Sequence, residues 1–169
     1  MSNNGNPARI VADADVLAAD LLVGGAAREA LDHVRRHSWL DLLASDQLLD
    51  DATAVIGSLA DEHLATDWRA LAARERVPVS HPDGDHPGLA TAYRGEAAHL
   101  LTFDPDLASA STNLSVRPYA ALSIRPPAAF ARLFDAESLY ESLYDDSYPG
   151  PDRSRSSTPG GTDPDSEAP

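Results

Sequence analysis

Short apolar runs alternate with amphipathic helical patterns along most of the chain, and this alternation restricts the folds that the chain can adopt. The runs with the length of buried strands are Arg9–Ala12, Leu40–Ala44, Val77–Ser80 and His99–Phe103. Strands separated by helices pair in parallel, because the intervening helix carries the chain back across one face of the sheet. The sequence therefore predicts a three-layer α/β/α fold with a mostly parallel central sheet.

Local signals refine this prediction at several boundaries. Ser45 is expected to cap the helix that carries the clearest apolar stripe. Asp85 is expected to cap another helix, whose first turn holds Pro87. Pro78 places the third strand at a strand start or at an edge of the sheet. A weaker last strand is expected at Leu114–Arg117.

The two ends of the chain differ from its middle in composition. Of the 169 residues, 43% are hydrophobic, which is enough for one core. Met1–Ala8 is polar, and Asp145–Pro169 is rich in Pro, Gly, Ser and acidic residues, with Tyr148 as its only large apolar side chain. Such segments bury too little apolar surface to fold. We therefore expect a flexible N-terminus at 1–8, one domain at 9–144 and a disordered tail at 145–169.

The charged residues and the absence of two residue types exclude several functions. All 13 basic residues are Arg and 27 residues are acidic, which gives a net charge of −14. Without Lys there is no P-loop or Schiff-base lysine, and without Cys there is no disulfide, thiolate zinc site or iron–sulfur cluster. An acidic surface that lacks Lys is typical of a halophile, whose molar salt shortens electrostatic screening to about 3 Å. Net charge is then a poor guide to partners.

The chain also lacks the sequence signals of membrane insertion and export. No run approaches the roughly 20 apolar residues that span a bilayer. The N-terminus has no basic region followed by an apolar run. We therefore expect a cytoplasmic protein that does not bind membranes.

Four Asp residues occupy positions from which their carboxylates can meet. Asp13 and Asp104 follow the first and fourth predicted strands, and ligands of open α/β sheets bind outside the carboxyl ends of the strands. Asp85 begins the helix that leads into the fourth strand. At about 100° per residue, Asp51 flanks the apolar stripe of the first capped helix, whereas Asp50 faces solvent. Asp51 is therefore the better candidate for the fourth carboxylate.

Converging carboxylates favour a metal site, because a bound cation relieves their mutual repulsion. Oxygen ligands favour Mg²⁺ or Mn²⁺. Such an ion can activate water and neutralise the leaving oxygen of a phosphodiester. Each Asp alone is more often a turn residue or a helix cap, so the hypothesis depends on the four together.

Five short segments follow, in order, the pattern of a known nuclease family. They are Ile10-Val11-Ala12-Asp13-Ala14-Asp15, Leu48-Leu49-Asp50-Asp51, Asp85-His86-Pro87-Gly88, Leu100-Leu101-Thr102-Phe103-Asp104 and Ser123-Ile124-Arg125-Pro126. With these segments the chain resembles the PIN-domain ribonucleases from Arg9 to Leu133. In that family the second acid is usually Glu, where this chain has Asp51. The residue two positions after the first Asp is usually Asn, where this chain has Asp15.

The resemblance implies a metal-dependent endoribonuclease. Water activated by Mg²⁺ or Mn²⁺ on the four carboxylates would attack an RNA phosphodiester and leave 5′-phosphate and 3′-hydroxyl ends. Arg94 and Arg69 are candidates for binding phosphate, although surface arginines are more often only solvated. The family includes toxin–antitoxin members, so an antitoxin-like protein partner and a homodimer are both compatible with the resemblance.

Other interpretations of the sequence stay open. The same fold can persist as a catalytically degenerate module that binds RNA or protein. Asp13-Ala14-Asp15 also resembles the opening of haloacid-dehalogenase-type phosphatases, but that family expects Thr in place of Leu17 and commonly uses a Lys. A separate set of metal-ligand types lies in one loop and comprises His81, Asp83, Asp85 and His86. An ordinary polar turn explains the same loop residues.

Overall fold

Five parallel strands form the core of the fold. In the computed structural model, which describes residues 5–108 and 122–153, they are β1 (Asn6–Ala12), β2 (Asp41–Ala44), β3 (Val77–Pro78), β4 (Ala97–Leu101) and β5 (Ser123–Arg125). All adjacent pairs are parallel, in the order β3-β2-β1-β4-β5. The predicted α/β fold with a parallel central sheet is confirmed.

Helices connect the strands and cover both faces of the sheet. They are α1 (Ala14–Leu22), α2 (Gly25–Arg35), α3 (Asp46–Leu59), α4 (Glu62–Glu75), α5 (Pro87–Arg94), α6 (described over 105–108), α7 (Pro127–Leu133) and α8 (Ala136–Tyr144). α1 packs against α2 and α3, α4 packs against α3, and α7 packs against α2. α5 contacts β1, β2 and β4 and lies on the opposite face, because right-handed crossovers in opposite directions use opposite faces. Within the two described ranges, no helix is long and apolar enough to span a membrane.

The second half of β1 is buried on both faces and on both edges. Ile10, Val11 and Ala12 are completely buried. Val11 pairs with Leu43 of β2 on one side and with Leu100 of β4 on the other. A strand enclosed in this way is a continuous apolar run in the sequence, which is the pattern that identifies it.

Two local predictions are confirmed on the β2–β3 side of the sheet. The Ser45 hydroxyl accepts a hydrogen bond from the Leu48 N–H at 3.1 Å and so caps α3. Leu49 and Ile56 of the predicted apolar stripe are buried in the core. Pro78 ends β3, which is an edge strand of the sheet.

Strand boundaries differ from the predicted ones at β1 and β4. β1 begins at Asn6 rather than at Arg9, because the Asn6 N–H donates to the Glu96 carbonyl at 2.7 Å. The predicted flexible segment therefore includes the first residues of a strand. β4 ends at Leu101, where its pairing with both neighbouring strands ends, so the predicted strand end at Phe103 is wrong.

The segment after α8 packs against the end of α2. The Tyr148 hydroxyl is hydrogen-bonded to His37 Nε2. Asp152 Oδ1 accepts a hydrogen bond from the Ser38 N–H at 2.7 Å. The described domain therefore continues past the boundary predicted at Tyr144, because one aromatic and one capping carboxylate attach a segment of otherwise polar composition.

Three expectations concern residues that the structure does not describe. These are the flexible start at 1–4, the weak strand at Leu114–Arg117 and the tail from 154 to 169. They stay predictions from the sequence.

Candidate active site

The strand order places a topological switch point between β1 and β4. From β1 the chain continues to β2 on one side, and from β4 it continues to β5 on the other side. In open parallel sheets, ligands bind outside the carboxyl ends of the strands where such connections diverge. Asp13 follows β1, and Thr102, Phe103 and Asp104 follow β4. We call these four residues the switch-point edge.

Hydrogen bonds with residues at the ends of β1 and β4 hold Asp13 in place. Its N–H donates to the Leu101 carbonyl of β4 at 2.8 Å. Its Oδ1 accepts from the Ala14 N–H at 3.0 Å, which makes Asp13 the N-cap of α1. Its Oδ2 accepts from the Thr102 hydroxyl at 3.0 Å. Each carboxylate oxygen keeps a lone-pair direction for a cation or a water molecule.

Thr102 links the first and fourth predicted acids. Its side chain is buried, and its Oγ1 donates to Asp13 while accepting the Asp104 N–H at 3.1 Å. Its own N–H donates to the Arg125 carbonyl of β5 at 3.0 Å. A hydroxyl can donate and accept at once, so Thr102 ties the Asp13 carboxylate to the backbone of Asp104. Sequence reasoning assigned no role to Thr102, although a Thr just after a buried strand and two residues before an Asp is a usable signal.

Asp104 lies at the start of α6 and is exposed to solvent. Its Oδ1 accepts from the Asp106 N–H at 2.9 Å and from the Leu107 N–H at 3.4 Å. This is the arrangement of a helix N-cap. Asp104 therefore has a structural role at the position that the sequence assigned to a metal ligand, and the two roles use the same carboxylate.

The start of α5 brings His86, rather than Asp85, to Asp13. The predicted cap at Asp85 is wrong, because His86 is the N-cap and its Nδ1 accepts from the Leu89 N–H at 3.3 Å. An accepting Nδ1 places the proton of a neutral imidazole on Nε2. His86 Nε2 lies 3.9 Å from Asp13 Oδ2. Asp85 itself is exposed, and Pro87 occupies the first helical position as expected.

Gly88 allows α5 to approach the first acid closely. A Cβ at this position would lie 3.2 Å from Asp13 Oδ1 and 3.3 Å from Leu100 Cδ1. Contacts that short are tighter than ordinary packing, so a side chain here would displace its neighbours. Gly88 is a site residue that could not be identified as one from the sequence.

The loop before α5 is attached to the start of α3. His81 Nδ1 contacts the Pro82 carbonyl at 2.9 Å and must carry the proton, because a carbonyl only accepts. In the neutral ring, His81 Nε2 then accepts from the Ser45 hydroxyl at 2.8 Å. Gln47 Nε2 donates to the His81 carbonyl at 3.2 Å and to Asp83 Oδ1 at 3.0 Å. Both nitrogens of His81 are thus engaged in holding the loop, which favours the turn interpretation over a metal site within it.

Asp51 is exposed on α3 and does not flank the core. It lies one helical turn after Gln47, so both residues lie on the side of α3 that meets the loop before α5. The neighbouring Asp50 is also exposed, and it accepts from Arg69 Nε at 3.1 Å. The structure thus gives Asp50 an ion-pair partner on α4.

Of the two candidate phosphate-binding arginines, one is paired with carboxylates and the other lies at the end of a helix. Arg69 lies 3.1 Å from Asp50 and 3.6 Å from Asp46 in ion pairs between α3 and α4. Arg94 is exposed in the last turn of α5. An eight-residue helix is about 12 Å long, so Arg94 lies a helix length away from His86.

The donor types at the switch-point edge suit an oxygen-preferring cation, but their arrangement does not yet form a complete site. Among the described residues, which include Asp13, Asp51, Asp85 and Asp104, no three His, Asp or Glu side chains are grouped closely enough to hold a metal ion. The first and the fourth acids are linked through Thr102. The second and third lie on exposed surface.

Comparisons with known proteins give one finding. A family model described as a family of unknown function, DUF7384, matches residues 4–156. Comparison with curated proteins and comparison with solved structures each give no match.

Proposed function

Since the chain belongs to DUF7384, a family of unknown function, we infer its activity from the site and propose that it is a PIN-like, metal-dependent endoribonuclease. The observation that carries this proposal is the position of Asp13. Its carboxylate lies at the end of the central strand, at the switch point between β1 and β4, and is oriented by the Ala14 N–H and the Thr102 hydroxyl. A rigidly oriented carboxylate at a topological switch point is a common foundation for a catalytic site.

The surroundings of Asp13 support the proposal in two ways. The backbone of Asp104 is linked to the Asp13 carboxylate through one buried hydroxyl, and carboxylates that approach one another favour a cation between or beside them. Gly88 keeps the space beside Asp13 Oδ1 free of a side chain. The site therefore combines a fixed negative charge with backbone, rather than a side chain, beside the first acid.

Mg²⁺ or Mn²⁺ bound here would supply charge neutralisation and an activated water for phosphodiester hydrolysis. The residues proposed to hold it are Asp13, Asp51, Asp85 and Asp104. Because Asp51 and Asp85 are exposed, their side chains can change rotamer at a cost in side-chain entropy and without repacking the core. Binding of the cation is therefore proposed to complete the ligand set.

A second candidate is a degenerate PIN-like module that binds RNA or protein without cleaving it. The specific observation in its favour is that Asp13 and Asp104 both cap helices, a role that keeps Asp at these positions without catalysis. Asp15 adds a further negative charge in the first turn of α1. An antitoxin-like partner, a homodimer and a cytoplasmic location stay predictions under both candidates.

The test is cleavage of a labelled single-stranded RNA in Mn²⁺ by the wild type and by Asp13→Asn and Asp104→Asn. Asn is as good an N-cap as Asp, so both variants are expected to keep their helices while losing a negative ligand. We expect each to reduce cleavage at least about a hundredfold. Asp67→Asn, which changes an exposed Asp of α4, is the matched control and is expected to cleave normally.

Thermal unfolding in the presence of Mn²⁺ separates the two candidates. A ligand that binds only the folded state raises its stability with concentration, so the wild type should be stabilised and Asp13→Asn much less. A wild type that neither cleaves RNA nor gains stability from Mn²⁺ or Mg²⁺ would support the degenerate module instead.

A further inference from the structure

Phe103 is an exposed aromatic side chain within the switch-point edge. It lies between Thr102, which is buried, and Asp104, which is exposed. Of the surface of Phe103 itself, 47% is accessible. We propose that Phe103 stacks on an unpaired base of the substrate, so that the site selects single-stranded RNA. This inference rests on the proposed function, because it concerns the substrate of the same site.

The backbone on both sides of Phe103 is fixed. The N–H of Thr102 donates to the Arg125 carbonyl at 3.0 Å, and the N–H of Asp104 donates to the Thr102 hydroxyl at 3.1 Å. The ring therefore projects from a rigid support. Adjacent Cα atoms are about 3.8 Å apart, so an RNA backbone held at Asp104 brings its bases within reach of the ring.

The charge of the chain makes stacking a suitable way to hold RNA. In the molar salt expected for this acidic chain without Lys, screening leaves little long-range attraction to phosphates. Arg69 of α4 and Arg76, which follows α4, both form ion pairs with Asp46. Base–aromatic stacking does not depend on ion release, and its loss typically weakens binding about tenfold or more per base.

Stacking on one ring also accounts for selectivity for single-stranded RNA. In a duplex both faces of an internal base are covered by its neighbours, whereas an unpaired base has a face to offer. A single aromatic side chain at the end of a β-strand can therefore distinguish single-stranded from double-stranded RNA without reading the base sequence.

The experiment measures binding of fluorescein-labelled oligouridylate and of a labelled RNA duplex by anisotropy, in EDTA so that metal-dependent cleavage cannot occur. Phe103→Ala is expected to weaken oligouridylate binding about tenfold or more and to leave duplex binding unchanged. Phe103→Trp should retain binding, whereas Phe103→Leu, which keeps apolar area without a π face, should lose it. Leu59→Ala is the matched control, because Leu59 is also exposed, at 73%, but lies at the far end of α3.

Salt dependence supplies a second readout. The ratio of affinities between wild type and Phe103→Ala should be the same in dilute and in molar KCl, because stacking releases no counterions. If the proposed cleavage occurs, Phe103→Ala should raise KM more than it lowers kcat.

Several results would overturn the inference. They are equal oligouridylate binding by Phe103→Ala and wild type, full binding by Phe103→Leu, or an affinity ratio that vanishes in molar salt. RNA cleavage that persists with unchanged KM in Phe103→Ala would leave the nuclease proposal standing and remove this one. A wild type that cleaves nothing, combined with Phe103-dependent binding, would remove the nuclease proposal and retain the stacking surface.

Discussion

Replacing Thr102 with Val removes one hydroxyl and keeps the shape of the side chain, so it isolates the link between Asp13 and Asp104. The hydroxyl donates to a carboxylate at 3.0 Å and accepts from an N–H at 3.1 Å. A hydrogen bond to a charged group contributes about 1.5–3 kcal/mol, and one between neutral groups about 0.5–1.5 kcal/mol.

Two effects reduce the expected loss. The buried methyl group that replaces the hydroxyl returns about 0.8 kcal/mol. The Asp104 N–H belongs to an exposed residue and can bond to water when its acceptor is removed. We therefore expect Thr102→Val to lower the free energy of unfolding by about 2 kcal/mol. For a domain of this size the melting temperature should fall by about 4–8 °C.

The assay is urea unfolding in molar KCl, followed by the fluorescence of Trp39 and Trp68. Urea is preferable to guanidinium chloride because it leaves the ionic strength, and hence the repulsion among the acidic groups, unchanged. Thr102→Ser keeps both hydrogen bonds and serves as the control for a lost methyl group. A double-mutant cycle with Asp13→Ala should give a coupling energy of about 1 kcal/mol or more. A loss below about 0.5 kcal/mol for Thr102→Val, with an unchanged denaturant slope, would show that this hydroxyl does not link the two acids.

Four further predictions follow from other parts of the structure. Burial, and to a lesser extent the charge of Arg125, lowers the pKa of His99 from 6.5 to about 4; the folded state then binds fewer protons than the unfolded state, so stability should fall as pH decreases from 6.5 towards 4. His99→Gln should lack that component, which comparison of unfolding at several pH values would detect. Gly88→Ala should cost about 1 kcal/mol or more, measured by urea unfolding, because its Cβ would meet Asp13 and Leu100; an unchanged midpoint would contradict the close approach of α5. Ending the chain after Tyr144 should lower the melting temperature, because it removes the contacts made by the segment after α8; an equal melting temperature would show that this segment adds nothing. Finally, with a net charge of −14, stability should rise with KCl concentration and be lowest in dilute buffer. Calorimetry in a salt series measures this dependence, and a melting temperature that does not change with salt would contradict the prediction.

The parts of this structure that local signals control were predictable from the sequence. The continuous apolar run before Asp13 identifies the central strand, Ser45 identifies the start of α3, and Pro78 identifies an edge. Each depends on one residue type whose backbone or hydrogen-bonding preference is strong.

The cap of α5 could also have been predicted correctly. A residue that precedes proline is pushed out of the helical region, and His86 accordingly has φ −63° and ψ 117°. The residue just before Pro87, rather than Asp85, is therefore the one that caps the helix. The wrong prediction followed from the general preference for Asp at N-caps, which carries less weight than the steric effect of the proline ring.

The contacts within the site were beyond the reach of the sequence. Thr102 and Asp13 are separated by 89 positions, and their meeting depends on the register between β4 and β1. The approach of His86 to Asp13 depends on a helix that crosses the opposite face of the sheet. A helical wheel placed Asp51 beside the core, but exposure on α3 depends on where α4 and α5 lie, which periodicity does not determine.

The central position of β1 has a consequence for biosynthesis. β1 leaves the ribosome before β2, β3, β4 and β5, and β2 can pair with it early. Its second neighbour, β4, spans Ala97–Leu101, so the other edge of the central strand stays unpaired until most of the domain has been made. An unpaired apolar strand edge is prone to intermolecular association. The acidic groups that weaken the finished fold by repulsion would, in nascent chains on the same polysome, keep such edges apart.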